Sequence, residues 1–99
     1  MDNDKIAVLI ALRGVIDPET GLDIVTMGLV YGLRLSPEEI TASFTLTTPG
    51  CPMGETISRM TQESLEGIAG KRRVRLELVW EPPWDPQMIS AEGRKALRR

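Results

Sequence analysis

Two runs of alternating apolar and polar residues give this chain its clearest structural signal. In residues 29–35 one side of the run comprises Leu29, Tyr31, Leu33 and Leu35, and the other comprises Val30, Gly32 and Arg34. In residues 40–47 the predicted inward set is Ile40, Ala42, Phe44 and Leu46, and the predicted outward set is Thr41, Ser43, Thr45 and Thr47. The segment between the runs, Ser36-Pro37-Glu38-Glu39, has the composition of a turn. The pattern therefore predicts an antiparallel hairpin with one solvent-exposed face.

Helical periodicity precedes and follows the hairpin. Asn3 or Asp4 can cap the first helix, whose predicted apolar face comprises Ile6, Leu9, Ile10 and Leu12. The second helix is predicted to begin at Pro52 and to end at Gly67 and Gly70. Its predicted apolar stripe comprises Met53, Ile57, Met60, Ser64, Leu65 and Ile68, opposite Arg59, Gln62, Glu63 and Glu66.

A third strand is predicted for residues 74–80, where alternation returns. The proline-rich segment 81–86 suits neither a helix interior nor a central strand. Pro86 suits the first position of a short final helix capped by Asp85, and Gly93 should weaken that helix by about 1 kcal/mol relative to alanine. Trp80 is expected to cover an edge of the core. Trp84 has two interpretations, a structural cover or an interaction anchor for a partner.

The resulting order, α-β-β-α-β-α, predicts an α+β fold: a single-domain two-layer sandwich with helices packed on one face of a small mixed or antiparallel sheet. At 99 residues, 41% hydrophobic and 26% charged, the chain suits one globular domain. Its longest apolar stretch, residues 6–12, is far shorter than the roughly 20 residues of a membrane helix. The first residues are acidic where a signal peptide would be basic. We therefore expect a cytoplasmic protein with no membrane partner.

The charge distribution argues against nucleic acid as a partner, because the formal net charge is −2. Two short segments, residues 71–75 and 94–99, are nevertheless locally basic. They are interpreted as a solvated turn and a helix end whose dipole favours cations, with a docking patch as the alternative.

Cys51 is the only cysteine in a chain that contains no histidine. If Pro52 is the first helical residue, Cys51 becomes the N-cap, where free backbone N–H groups and the helix dipole lower a thiol pKa. Gly50 leaves the sulfur unshielded. The alternative is that Cys51 is a small buried hydrophobe, as many lone cysteines are.

The composition excludes several classes of thiol chemistry. A papain-like hydrolase needs a histidine base, and a closed zinc site needs four ligands. Iron–sulfur clusters also require several thiolates, so Cys51 could hold one only with ligands from a second chain or a partner. Asp17, Glu19 and Asp23 are interpreted first as turn and cap residues, and otherwise as auxiliary ligands or proton acceptors.

Four segments follow one another in a specific order: Asp17-Pro18-Glu19, then Asp23-Ile24-Val25 with Gly28-Leu29-Val30-Tyr31, then residues 45–52 around Pro49-Gly50-Cys51-Pro52, and finally Trp80-Glu81-Pro82-Pro83-Trp84. Together they resemble the metal–sulfur cluster assembly family that includes bacterial SufT and the PaaD component of phenylacetate degradation. The resemblance runs from about residue 5 to the C-terminus and implies a single MIP18-like (DUF59) domain over residues 1–99. The absence of the cysteine-bearing C-terminal extension that is typical of PaaD proteins favours a SufT-like or stand-alone member.

The resemblance implies a role in maturing iron–sulfur proteins, without catalysis. It places the family's functional cysteine at Cys51, its acidic motif at Asp17 and Glu19, and its threonine at Thr48, around a shared pocket. It implies a transiently bound iron–sulfur cluster or iron and no tightly bound cofactor. The expected partners are the iron–sulfur assembly machinery or client apoproteins, and a homodimer would let two chains share ligands.

Two other functions remain as hypotheses at this point. In an interaction adaptor, Cys51 would be structural and Trp84 or the basic turn at residues 71–73 would bind a protein. In a thiol-dependent enzyme, Asp17 or Glu19 would have to act as the base, which is an unusual partner for cysteine.

Overall fold

The computed structural model describes residues 2–47 and 54–97. The elements, in chain order, are α1 (Asp2–Arg13), β1 (Val30–Leu35), β2 (Glu39–Phe44), α2 (Gly54–Ala69), β3 (Arg73–Leu78), a 3₁₀ turn (Pro86–Met88) and α3 (Ala91–Leu97). The predicted order and the α+β class are therefore confirmed. The predicted helix start at Pro52, with Cys51 as its cap, lies outside the described residues. The predicted caps Asn3 and Asp4 are wrong, because both residues lie within α1.

The three strands form one mixed sheet with β2 in the centre. β1 pairs with β2 as the predicted antiparallel hairpin, and the N–H of Ser36 closes the turn on the carbonyl of Glu39 at 2.9 Å. β3 pairs with β2 in parallel, because α2 carries the chain back to the starting end of the sheet. Gly70, with φ of 66°, follows the last residue of α2, whereas Gly67 lies inside the helix.

A β-bulge at Tyr31 changes the predicted alternation of β1. Val30 pairs with Phe44 and Gly32 pairs with Ser43, so Tyr31 is the extra residue between two consecutive partners. Val30 consequently shares the core face with Phe44 and packs against the core, which corrects the prediction that it faces away. The bulge turns the Tyr31 hydroxyl toward the C-terminal segment, where it donates to the carbonyl of Pro82 at 2.7 Å.

Two threonines of the central strand were predicted to face outward but are buried. Thr41 is 5% exposed, because it lies in register between Arg34 of β1 and Arg75 of β3. Thr45 is fully buried, because its backbone continues the pairing beyond β2 and bonds to the segment around Leu29.

α1 buries only part of the predicted face: Leu12 is buried and Leu9 half-buried as predicted, whereas Ile6 and Ile10 are not. Val8, Leu12 and Val15 are buried at helical spacing, whereas Ile6 and Ile10 are 54% and 65% exposed. The helix docks antiparallel to α2 through polar contacts as well as apolar ones. The hydroxyl of Ser64 donates to the carbonyl of Ala11 at 2.6 Å, and the guanidinium of Arg72 lies 3.7 Å from the carboxylate of Asp4.

α2 packs on the sheet through residues spaced four apart: Ile57, Thr61, Leu65 and Ala69. Ile57 and Leu65 confirm the predicted stripe, whereas Ile68 lies at its exposed margin. Thr61 belongs to the core although it is polar, because its hydroxyl donates to the carbonyl of Ile57 at 2.7 Å.

The C-terminal strap, residues 80–90, crosses from β3 to the turn formed by residues 22–28. Pro86 starts a 3₁₀ turn capped by Asp85, whose carboxylate accepts from the N–H of Gln87 at 2.7 Å, and α3 begins separately at Ala91. Gly93 has a packing role that sequence reasoning missed. A methyl group there would lie 2.7 Å from Thr26 and 2.8 Å from Ile89, so the glycine allows α3 to approach the turn.

Candidate functional site

The acidic motif forms a closed loop of residues 17–22. The N–H of Asp17 bonds to the carbonyl of Leu22, and the N–H of Gly21 bonds to the carbonyl of Asp17, each at 2.8 Å. The Asp17 carboxylate accepts from the N–H of Glu19 at 2.9 Å. Asp17 is only 3% exposed, whereas Glu19 is exposed. The loop therefore holds one carboxylate inward and presents the other to solvent.

A second turn, residues 23–28, follows the acidic loop directly. The carboxylate of Asp23 accepts from the N–H of Thr26 at 2.9 Å and from its hydroxyl at 2.6 Å. Its backbone carbonyl accepts from the N–H of Met27 at 3.0 Å. The turn interpretation is thus confirmed for Asp23, as it is for Asp17, because each carboxylate fixes the backbone that follows it.

A continuous series of backbone hydrogen bonds joins these turns to the end of β2. The N–H of Ile24 donates to Val15 and the N–H of Leu29 donates to Ile24, both at 3.0 Å. The N–H of Thr45 then donates to the carbonyl of Leu29 at 2.8 Å. The loop that holds Asp17 is therefore tied to the strand end that leads into residues 48–53.

Two of the four predicted pocket residues lie in the part of the chain that the structure describes, and two do not. Asp17 and Glu19 lie in the described loop, and only Asp17 is enclosed. Cys51 and Thr48 lie outside the described residues, so the shared pocket stays a prediction. Thr47, the last described residue before them, is two positions beyond the Thr45 bond to Leu29.

Trp84 holds the strap against the 23–28 turn. Its indole N–H donates to the carbonyl of Met27 at 2.8 Å, and its ring packs against the core. Trp80, predicted to cover the core edge, is instead 38% exposed. The structural interpretation thus applies to Trp84, and an additional interaction role for this residue stays a prediction.

Gly28 belongs to a motif that carries the family resemblance, but the sequence did not show its packing role. Its φ is 76°, and a Cβ at this position would collide with the backbone carbonyl of Met88. A glycine that ends a turn is the local signal for such a conformation.

Within residues 2–47 and 54–97, no three acidic, cysteine or histidine side chains lie close enough together to hold a metal ion. In the same part of the chain, no helix has both the length and the apolar character needed to cross a membrane. Among the described residues, the carboxylate of Asp17 is therefore not part of a set of three such ligands.

Comparisons with known proteins identify the family of this chain. The profile of a family described as "Iron-sulfur cluster assembly protein" matches residues 5–77. The Fe–S protein maturation auxiliary factor SufT of Staphylococcus aureus strain USA300 is 42% identical over 84 residues, which is 84% of this chain and 96% of that protein. The maturation auxiliary factor YitW of Bacillus subtilis strain 168 is 35% identical over 88% of this chain and 86% of its own length.

A solved structure gives the same result for the fold. It is described as a domain of unknown function, DUF59, from Bacillus anthracis, and it superposes with a TM-score of 0.90 at 30% identity. The superposition covers 98% of this chain and 93% of that one.

Proposed function

Because this chain belongs to the iron–sulfur cluster assembly protein family, we propose that it is an accessory factor in the maturation of iron–sulfur proteins and acts through Cys51. The observation that carries the assignment is the match to relatives that are named maturation factors along nearly their whole length. Those relatives are named as auxiliary factors, so the proposed role is assembly and not catalysis of a metabolic reaction.

The proposed site contains the Cys51 thiol, the Asp17 carboxylate and Thr48. Support for Asp17 comes from the hydrogen-bonded series that ties its loop to Thr45, and from the burial of its carboxylate. A buried carboxylate near a thiol can accept its proton or act as a hard ligand to iron. Glu19, which is exposed, is better placed to meet the molecule that approaches the site.

A chain with one cysteine and no histidine offers few ligands to iron. We infer that iron or a cluster is cargo, held briefly by the Cys51 thiolate together with ligands from another molecule. The Cys51 thiol loses its proton when it binds iron. The iron or cluster leaves Cys51 when the cysteines of a client replace it as ligands. Few ligands on this chain favour transfer over storage.

The direct test is anaerobic reconstitution with ferrous iron and sulfide, followed by transfer to an apoprotein that acquires a [4Fe–4S] cluster. We expect Cys51→Ser to reduce the rate of transfer at least tenfold, since a hydroxyl is a poor ligand for iron. Equal transfer by the wild type and Cys51→Ser would exclude the proposed role of the thiol.

Asp17→Asn tests the carboxylate without disturbing the loop, because asparagine keeps the oxygen that accepts from the N–H of Glu19. We expect slower transfer with an unchanged melting temperature. Glu19→Gln removes the same charge from the exposed position of the loop and tests its contact with the approaching molecule. If both variants transfer clusters like the wild type, the two carboxylates serve only the turn.

The thiol itself can be tested by the pH dependence of its alkylation. We expect the midpoint for Cys51 to lie below about 8.5, the ordinary value for a cysteine. A midpoint at that value would contradict the proposal that Cys51 caps a helix.

A further inference from the structure

The outer edge of β3 carries backbone groups that no strand pairs in the described part of the chain. β3 is a terminal strand of the sheet, and its pairing with β2 is regular along its whole length. The N–H groups of Arg73 and Val79 donate to Glu38 and Phe44, so the odd-numbered residues bond toward β2. Val74, Leu76 and Leu78 therefore direct their N–H and C=O groups outward.

This edge has charged side chains at Arg73, Arg75 and Glu77, but it lacks the proline or bulge that protects many edge strands. β3 contains no proline and no bulge, and Leu78 is 45% exposed. The amide of Gln62 approaches the carbonyl of Val74, but only at 3.5 Å. β1, the opposite edge, has a bulge, and Tyr31 ties it to the strap.

The sequence of β3 is complementary to itself in the antiparallel direction. With Leu76 opposite its own copy, Val74 meets Leu78 on one face. On the other face Arg75 meets Glu77. The backbone groups fit the same register. In an antiparallel pair, every second residue exchanges two hydrogen bonds with the residue opposite, and the outward N–H and C=O groups of β3 have this spacing.

We propose that β3 pairs with β3 of a second copy of this chain, so that two sheets join into one. Val74, Leu76 and Leu78 exchange backbone hydrogen bonds with Leu78, Leu76 and Val74 of the partner subunit. Arg75 then lies beside the partner's Glu77, and Glu77 lies beside the partner's Arg75. The charges thus select a second copy over an unrelated strand.

The intrachain contacts of Glu77 leave one of its carboxylate oxygens available for this pair. Its Oε1 accepts from the hydroxyl of Ser43 at 3.1 Å and lies 3.5 Å from the guanidinium of Arg34, whereas its Oε2 has only the guanidinium of Arg75 at 3.9 Å. Solvent-exposed ion pairs of this length contribute little to the free energy of folding. Replacing the intrachain pair with a cross-strand pair therefore costs little free energy.

The arrangement has a consequence for the proposed site. The described residues that flank the Cys51 segment, Thr47 and Gly54, lie after the carboxyl end of β2, and β3 runs parallel to β2. Antiparallel pairing of two β3 strands places these flanking residues at opposite ends of the joined sheet. This interface therefore separates Thr47 and Gly54 of one copy from the same residues of the partner subunit.

The test is sedimentation velocity over a range of protein concentrations. We expect the wild type to show a concentration-dependent dimer. Glu77→Arg and Arg75→Glu should each weaken dimerisation about tenfold or more, since each puts like charges opposite one another at both symmetric positions. Arg34→Gln is the control, because it removes an intrachain partner of Glu77 away from the edge.

Mixing the two charge-reversed variants distinguishes the proposal from other dimers. A Glu77→Arg chain offers two arginines and an Arg75→Glu chain offers two glutamates, so the mixture should form heterodimers that neither variant forms alone. Far-ultraviolet circular dichroism checks that each variant is folded.

Three results would overturn the proposal. They are a wild type that stays monomeric at millimolar concentration, a dimer that is insensitive to both reversals, and a mixture that does not associate. Each can occur whether or not Cys51 transfers clusters, so this outcome is independent of the proposed function.

Discussion

The indole N–H of Trp84 donates to the carbonyl of Met27 at 2.8 Å, across 57 positions of the chain. Met27 itself is buried, and its N–H is bonded to Asp23 within the same turn. One side chain of the strap thus satisfies the backbone of the turn that follows the acidic loop.

Trp84→Phe should lower the free energy of unfolding by about 1–3 kcal/mol, because it leaves the Met27 carbonyl without its donor. Trp80→Phe is the matched control, and it should cost less because Trp80 is substantially exposed. Urea denaturation followed by circular dichroism measures both changes. Equal losses in the two variants would mean that the hydrogen bond contributes nothing beyond ring packing.

Gly28→Ala should destabilise the protein by more than about 2 kcal/mol, since positive φ is costly for alanine and the new methyl would collide with Met88. Gly21→Ala is a close control. Gly21 has the same φ of 76°, but nothing lies within 4 Å of its added Cβ, so only the backbone cost of about 1–2 kcal/mol applies. Thermal unfolding of the pair separates the collision from the backbone strain.

Gly93→Ala should destabilise the protein by about 1–3 kcal/mol although alanine is the better helix former. Its methyl would press on the branched side chains of Thr26 and Ile89, which have little freedom to move. Gly67→Ala, in α2 with nothing within 4 Å of its added Cβ, should instead stabilise by about 0.5–1 kcal/mol. Melting temperatures that rise in both variants would contradict the packing role of Gly93.

Burial raises the pKa of the Tyr31 phenol above its usual value of 10. The folded state therefore retains a proton that the unfolded state loses, so stability should be unaffected below pH 10 and fall as the pH rises beyond it. Tyr31 is the only tyrosine, so absorbance near 295 nm reports it alone. Its midpoint should be higher in native protein than in urea, and Tyr31→Phe should abolish this pH dependence of stability.

The hairpin could be predicted because its two strands alternate with period two around a turn-forming segment. The bulge at Tyr31 could not, because an inserted residue leaves the apolar pattern of β1 almost intact. The full buried face of α1 could not be predicted either, because residues 6–12 are all apolar and their spacing does not distinguish one side of the helix from another.

Long-range contacts account for the remaining differences. The sequence identifies Trp80 and Trp84 equally well as large apolar residues, and only the fold shows which one reaches a buried carbonyl. From the sequence, Gly93 is only a residue that destabilises a helix. Its packing role depends on Thr26, which is distant in sequence but adjacent in the fold. Asp17 and Asp23, by contrast, act on neighbours within three residues, and their turn roles could be predicted from the local sequence.

The strap also determines when, during synthesis, the 23–28 turn can make its native contacts. Synthesis proceeds from the N-terminus, so the 23–28 turn leaves the ribosome well before Trp84, Met88 and Gly93 exist to cover it. Until then the Met27 carbonyl lacks the donor that it has in the folded protein. A nascent chain therefore carries the 23–28 turn before Trp84 can bond to it. The turn reaches its native hydrogen bonding only after most of the sequence from residue 1 to residue 84 has been synthesised.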